Sequence, residues 1–307
     1  MKTIVECVPN FSEGRDPRVI DRIASAIDSV AGVGILHRTM DADHHRAVIT
    51  FVGDREGVAE GALRAMGKAA ELIDLNRHSG VHPRIGAADV VPFVPVSNVN
   101  LRDCALIAQA VGREAYRRFG IPVYLYGAAA LQPERTRLEN VRRGQFEGLR
   151  SELAGPTQGP PDFGGPGIHP TAGATAVGAR KFLIAYNVNL ATADIRPARQ
   201  IARKIRSSSG GLPHVKAMGV SLKTRDHVQI SINLTDFEIS SIQRVFQVVY
   251  QEAERLGTRV SDSEIVGLVP QRALPPSFQS SLQLKDFRPD LVFENRLAAY
   301  LKQQKKE

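Results

Sequence analysis

The apolar positions of this chain change period in one order and then repeat that order, which restricts the folds open to it. Residues 3–8 alternate like a strand, and Asp16 and Pro17 open a helix through about residue 29 as N-cap and first helical position. Residues 33–38 and 47–53 read as two strands joined by a turn around 41–45. Asp54 caps a helix to about residue 75, with Val58, Ala62, Ala65, Ala69 and Leu72 on one face. A strand at 90–96, a helix at 101–119, a strand at 121–126 and short helices within 134–153 follow. The order then restarts roughly 180 residues along: strand 181–190, helix 196–208, strands 215–222 and 227–234, helix 239–256 and a last strand at 262–269. Residues 275–289 carry no clear period, and 291–303 read as a terminal helix.

A strand–helix–strand–strand–helix unit buries its apolar stripes by laying its helices on one face of its sheet. The expected class is therefore α+β. It comprises two α/β subdomains, residues 1–180 and 181–307, each a mostly antiparallel sheet covered by helices on one face. The arrangement is ferredoxin-like, β-α-β-β-α, with a groove or tunnel between the halves.

Composition narrows the function. At 43% hydrophobic and 23% charged residues the chain reads as a soluble globular protein. It has a net charge of +8 but no Trp, and its cations are spread over helices rather than massed in an arm. Base-stacking platforms are hard to build from so few aromatics, so no nucleic-acid partner is expected. No segment approaches the ~18 uninterrupted apolar residues of a membrane span, and Glu6 and Pro9 interrupt any leader-like run. The expectation is a cytoplasmic protein with no membrane partner. Cys7 and Cys104 are the only cysteines, and each sits in an apolar pattern that suits a buried, inert thiol.

Three segments carry chemistry. The first is RHSGVHPRIGAADVVPFVPV at 77–96, where Gly80 and Pro83 forbid a helix and polar groups run straight into an apolar strand. His82 precedes Pro83, which holds its backbone extended, and lies close to Arg84, a carboxylate-binding group. An imidazole near its free pKa takes and gives protons at neutral pH. Read alone, His82 is as readily a loop histidine bonded to backbone. His78 is a second catalytic group or a supporting one. With His44 and His45 these histidines raise the idea of a metal, but the spacing matches no metal motif, and no metal is expected. The second segment is ECVPNFSEGR at 6–15. The third is the glycine-rich PDFGGPGIHPTAGATAVGARKF at 161–182. Its GATAVGAR resembles a phosphate loop but places Ala179 and Arg180 where Lys and Ser or Thr are required, so nucleotide binding there is rejected. It reads either as a place where backbone amides approach a flat ligand or as a crossover between the halves.

Taken together, VECVPNFSEGR, RAVITFVG (46–53), RHSGVHPRIGAADVVPFVPV, PVYLYG (122–127), PDFG (161–164), GATAVGARKFLIAYNVNL (173–190) and EIVGLVP (264–270) resemble the formiminotransferase family of folate-dependent enzymes, in order and over about residues 3–270. The resemblance implies transfer of the formimino group from N-formimino-L-glutamate to N5 of tetrahydrofolate, giving 5-formiminotetrahydrofolate and L-glutamate in histidine degradation and one-carbon metabolism. It implies tetrahydrofolate as co-substrate, in polyglutamylated form where surface cations attract the tail, and a homodimer. It also implies that the fused cyclodeaminase of the animal enzymes is missing. The catalytic residue carries over to His82. The folate-binding stretch carries over to Phe163, Gly164, Gly165, Pro166, Gly167, Ile168, His169, Pro170, Thr171 and Ala172. Arg46 and Arg84 are the candidates for gripping the glutamate carboxylates of formiminoglutamate, with His78 beside them. His45 departs from the pattern, since relatives are expected to show Asn there. Formyl transfer between 5-formyltetrahydrofolate and glutamate, or folate binding without turnover, remain alternatives.

Overall fold

The computed structural model describes residues 2–80, 82–151, 159–165, 167–222 and 227–304. The chain forms two compact units, Met1–Lys181 and Phe182–Glu307.

In the first unit, β1 (Ile4–Cys7) and β2 (Asn10–Phe11) follow one another along a single line of the sheet. On one side they pair with β4 (Arg46–Gly53), which pairs with β3 (Gly34–Asp41) at the edge; on the other they pair with β5 (Ala88–Ser97). These pairs are antiparallel. Beyond β5 the sheet turns parallel, through β7 (Thr175–Ala179) to β6 (Val123–Gly127).

Helices α1 (Pro17–Asp28), α2 (Arg55–Leu72) and α3 (Leu101–Phe119) cover one face. Each end is written locally. Asp16 accepts from the Arg18 amide, Asp54 from that of Gly57, and Asn100 and Asp103 form a reciprocal capping box. Ile20, Ile23, Ala24 and Ile27 recur at helical spacing and are all buried. Cys7 and Cys104 are free thiols inside this core, and burial pushes the Cys104 thiol up to about 12.

The first unit departs from expectation in two ways. Its sheet stays mostly antiparallel, but the glycine-rich arch contributes β7 as an interior strand with parallel neighbours, all five residues buried. The face away from α1–α3 is also partly covered: short helices α4 (Leu138–Val141) and α5 (Gln145–Arg150) pack Val141 and Leu149 against Val90, Tyr124, Tyr126 and Ala176.

The second unit follows the order β8 (Ile184–Leu190), α6 (Ile195–Ile205), β9 (Val215–Leu222), β10 (His227–Leu234), α7 (Ile242–Arg255) and β11 (Val260–Val266). Its strands lie β11-β8-β10-β9, all antiparallel. Alternate residues Ile184, Tyr186, Val188 and Leu190 join Ile201, Ile205, Val245 and Val249 from α6 and α7 in one core. Two further helices, α8 (Phe278–Ser281) and α9 (Phe293–Gln303), complete it. No helix among the described residues is long and apolar enough to cross a membrane.

Candidate active site

The segment linking α2 to β5 is held at both ends by the arch. Past α2, Asp74 caps one 3-10 turn, Leu75–Arg77, which buries Leu75. The Leu75 amide donates to the Thr171 carbonyl (2.9 Å), the Ala87 amide to that of Ala172 (2.9 Å), and the Ala174 amide to that of Ile85 (2.9 Å). Asn76 Nδ2 donates to Pro170 O (3.0 Å) and Ser12 Oγ to Gly86 O (2.7 Å). Within the arch, His169 and Gly173 exchange both backbone bonds, and His169 Nδ1 accepts from the Ala172 amide at 3.0 Å. Gly173 has φ +70°, and a Cβ there would stand 2.3 Å from the Ile85 carbonyl. The loop bearing His78 and His82 and the stretch at 169–173 are thus one bonded assembly.

His82 is half-buried. Its Nδ1 lies 2.8 Å from the Pro83 carbonyl and 2.7 Å from Arg46 Nη1, and the same Nη1 lies closer still to Nε2. A carbonyl only accepts, so Nδ1 carries the proton in its bond to Pro83, and Arg46 Nη1, within reach of both ring nitrogens, lies against the ring. Burial, then the positive charges of Arg46 and Arg142, pull the imidazole down to about 2, so it is neutral across the physiological range. Arg46 is itself lowered to about 9 by burial and by Arg142. The His44 ring meets His82 edge-on at 6.5 Å, and its hydrogen bond to Asp41 raises it.

Arg84 is engaged within the chain. It is buried, and instead of facing open space its guanidinium forks onto Glu147 at 2.6 and 2.7 Å. Its Nε donates to His78 Nδ1 (3.2 Å), and His78 Nε2 reaches the His45 carbonyl (3.0 Å), so both His78 nitrogens are engaged within the chain. Beside His82, the sequence reading missed Arg142, which pairs with buried Asp89 at 2.5 Å. Asp89 also accepts from the Ile85 amide. The signal was present in Asp89, a carboxylate inside the apolar run AADVVPFV, which demands a cation.

Of the arch residues, Phe163 exchanges backbone bonds with Val123, and Arg113 lies over its ring at 5.6 Å. Just before it, Asp162 accepts from Arg135 Nη1 (2.8 Å) and the Leu125 amide (2.7 Å), a pair whose side chains are 4% and 2% exposed. Among the described residues the amides of Gly164, Gly165 and Gly167 have no hydrogen-bond partner, and a Cβ at Gly167 would meet nothing within 4 Å. Ile168 packs on the core, and Pro166 lies outside the described residues. Glu6, on the same sheet face as Arg46, is buried; desolvation pushes its carboxyl up to about 7 against the opposing charge of Arg180. Among the described residues no group of three or more His, Cys, Asp or Glu side chains is placed to hold a metal ion.

The arrangement sets a neutral imidazole beside cations of the kind that attract carboxylates. The family model described as the formiminotransferase domain, N-terminal subdomain, matches residues 4–180, and that of the formiminotransferase domain matches 185–283. The chain is 45% identical over 287 residues to the glutamate formimidoyltransferase of Streptococcus pyogenes serotype M1, covering 94% of this chain and 96% of that one. It is 44% identical over 297 residues to the protein of the same name from Thermoplasma acidophilum, covering 96% and 97%. Against the formimidoyltransferase-cyclodeaminase of Mus musculus it is 43% identical over 280 residues, which span 51% of that protein.

Proposed function

The chain belongs to the formiminotransferase family, and from that premise we propose that it moves the formimino group of N-formimino-L-glutamate to N5 of tetrahydrofolate, releasing L-glutamate. The two compact units serve as the family's N-terminal and C-terminal subdomains, the second with the β-α-β-β-α-β order of a ferredoxin-like fold. The active form is a homodimer.

The observation that carries the reading is the His82 imidazole lying against Arg46, on a loop bonded to the arch. N5 forms a bond to the amidine carbon and loses a proton, the bond from that carbon to the glutamate nitrogen breaks, and that nitrogen gains a proton. His82 Nε2 accepts the first proton and delivers the second, a contribution of about 10²- to 10⁴-fold. In the resting protein Arg46 lies against the ring, within reach of both nitrogens. A substrate carboxylate draws the guanidinium away and offsets the positive charge that lowers the ring, so substrate arrival both frees Nε2 and raises its basicity. Arg46 is the carboxylate-binding group. Arg84, committed to Glu147, and His78, committed to Arg84 and the His45 carbonyl, hold the loop. The unpartnered amides of Gly164, Gly165 and Gly167 suit the acceptor edge of a flat ligand such as the pterin of tetrahydrofolate.

The test is incubation with tetrahydrofolate and either formiminoglutamate or N-formylglutamate, following product absorbance. Turnover of the formimino donor is expected. Consumption of the formyl donor alone, or folate binding without turnover of either, overturns the reading.

A further inference from the structure

The turn between β3 and β4 is a second support for the His82 loop. His45 ends it with φ +49°, a left-handed conformation that few side chains adopt readily. Its ring is buried, with Nδ1 3.0 Å from the Ser79 carbonyl and Nε2 3.2 Å from Glu13 Oε1. Both neighbours are acceptors, so the ring spans from the loop backbone to the Glu13 carboxylate. Burial raises Glu13, but the amides of Asp16 and Arg15 together with His45 outweigh it and hold the carboxyl below its usual range.

The docking continues on every side. The His45 ring stacks on that of His78 at 4.2 Å and 10°, and the His45 carbonyl receives His78 Nε2. Arg15 reaches Ser79 O at 3.3 Å, and Arg84 stands behind His78. His44, paired with Asp41, faces the His82 ring, and Arg46 caps it. Gly80 passes so close that a Cβ would lie 2.7 Å from the His44 carbonyl and 2.8 Å from His45 Cβ. His45 therefore bonds to backbone three residues before His82, across 34 residues of sequence.

We propose that His45, braced by Glu13, is a positioning residue: it fixes the Ser79–Gly80 backbone and so sets the place of the His82 imidazole. The inference rests on the proton-transfer role given to His82 above. Asn accepts the left-handed backbone and donates a hydrogen bond without a ring, whereas Ala does neither well. In His45→Ala, kcat falls about tenfold to hundredfold, as a displacement near 1 Å produces, while KM for each substrate stays within about threefold. His45→Asn recovers most of that loss, and Glu13→Gln falls between the two.

The readout independent of activity is the imidazole Cε1–H resonance of His82 in substrate-free protein, identified by its disappearance in His82→Ala. It shifts or broadens in His45→Ala and stays near the native position in His45→Asn. An inactive native protein sinks the transferase reading, yet the resonance still decides the positioning claim. A folded His45→Ala with native kcat, a loss confined to KM, an unmoved resonance, or an Asn variant as impaired as Ala each overturns it. If the Ala variant does not fold, an Asn variant with a displaced resonance and a kcat lowered about tenfold or more overturns it alone.

Discussion

Arg46 Nη1 lies 2.7 Å from Nδ1 of His82 and closer still to Nε2, so a cation rests against the ring expected to move protons. With Arg142 also close, the imidazole has every electrostatic reason to remain neutral until an anion arrives.

Replacing His82 with Ala should lower kcat by about two orders of magnitude or more while tetrahydrofolate binding persists, since the ring is assigned to chemistry and the arch to binding. Steady-state kinetics with a folate titration check this. Near-native turnover in a folded variant removes His82 from the mechanism.

Replacing Arg46 with Gln removes one of the two cations holding His82 down, so its pKa rises although burial and Arg142 remain. Neutral His82 is the competent form, so the acid limb of kcat/KM should move to higher pH. KM for formiminoglutamate should rise with loss of the carboxylate partner. A limb that stays put or moves the other way contradicts the assignment.

Asp162→Asn removes the carboxylate that pairs with buried Arg135, a cost of up to about 3–5 kcal/mol. At this size that lowers Tm by roughly 10 °C. Because Asp162 also holds the start of the arch to β6, tetrahydrofolate affinity should fall with it. Calorimetry and a binding titration report the two effects, and native values in both would refute the role.

Glu6 supplies a pH signature. Its folded pKa of about 7 lies above the usual 4.5, so its contribution is fully present below pH 4.5 and is lost as pH rises through about 7. Across that window the native protein should lose roughly 1.4 kcal/mol per pH unit relative to Glu6→Gln. Denaturant melts at pH 4.5, 6 and 8 test it, and parallel stability curves for the two proteins would exclude the shift.

Helix α3 was readable to its ends because its signals are local: an apolar stripe, Asn100 with Asp103 at the start, Gly120 at the stop. Strand β7 was not. Thr175–Ala179 is short, made of small residues and buried throughout, so it shows no alternation and passes for linker. The left-handed φ of His45 gives the expected Asn at that position a physical meaning, since Asn is among the side chains most tolerant of that backbone.

Spacing and side-chain chemistry along the chain were enough to announce most of the helices and strands, the non-helical loop of His82 and the family resemblance. All of these depend on neighbours a few residues apart or on motifs readable in order. Which charge meets which was settled by packing. Arg84 found Glu147, 63 residues away, and Arg142 found Asp89, 53 residues back, because a buried cation takes the carboxylate that the fold brings within reach. Such pairing follows distance in space, and distance in space is fixed once the sheet has closed and the arch is bonded to the loop.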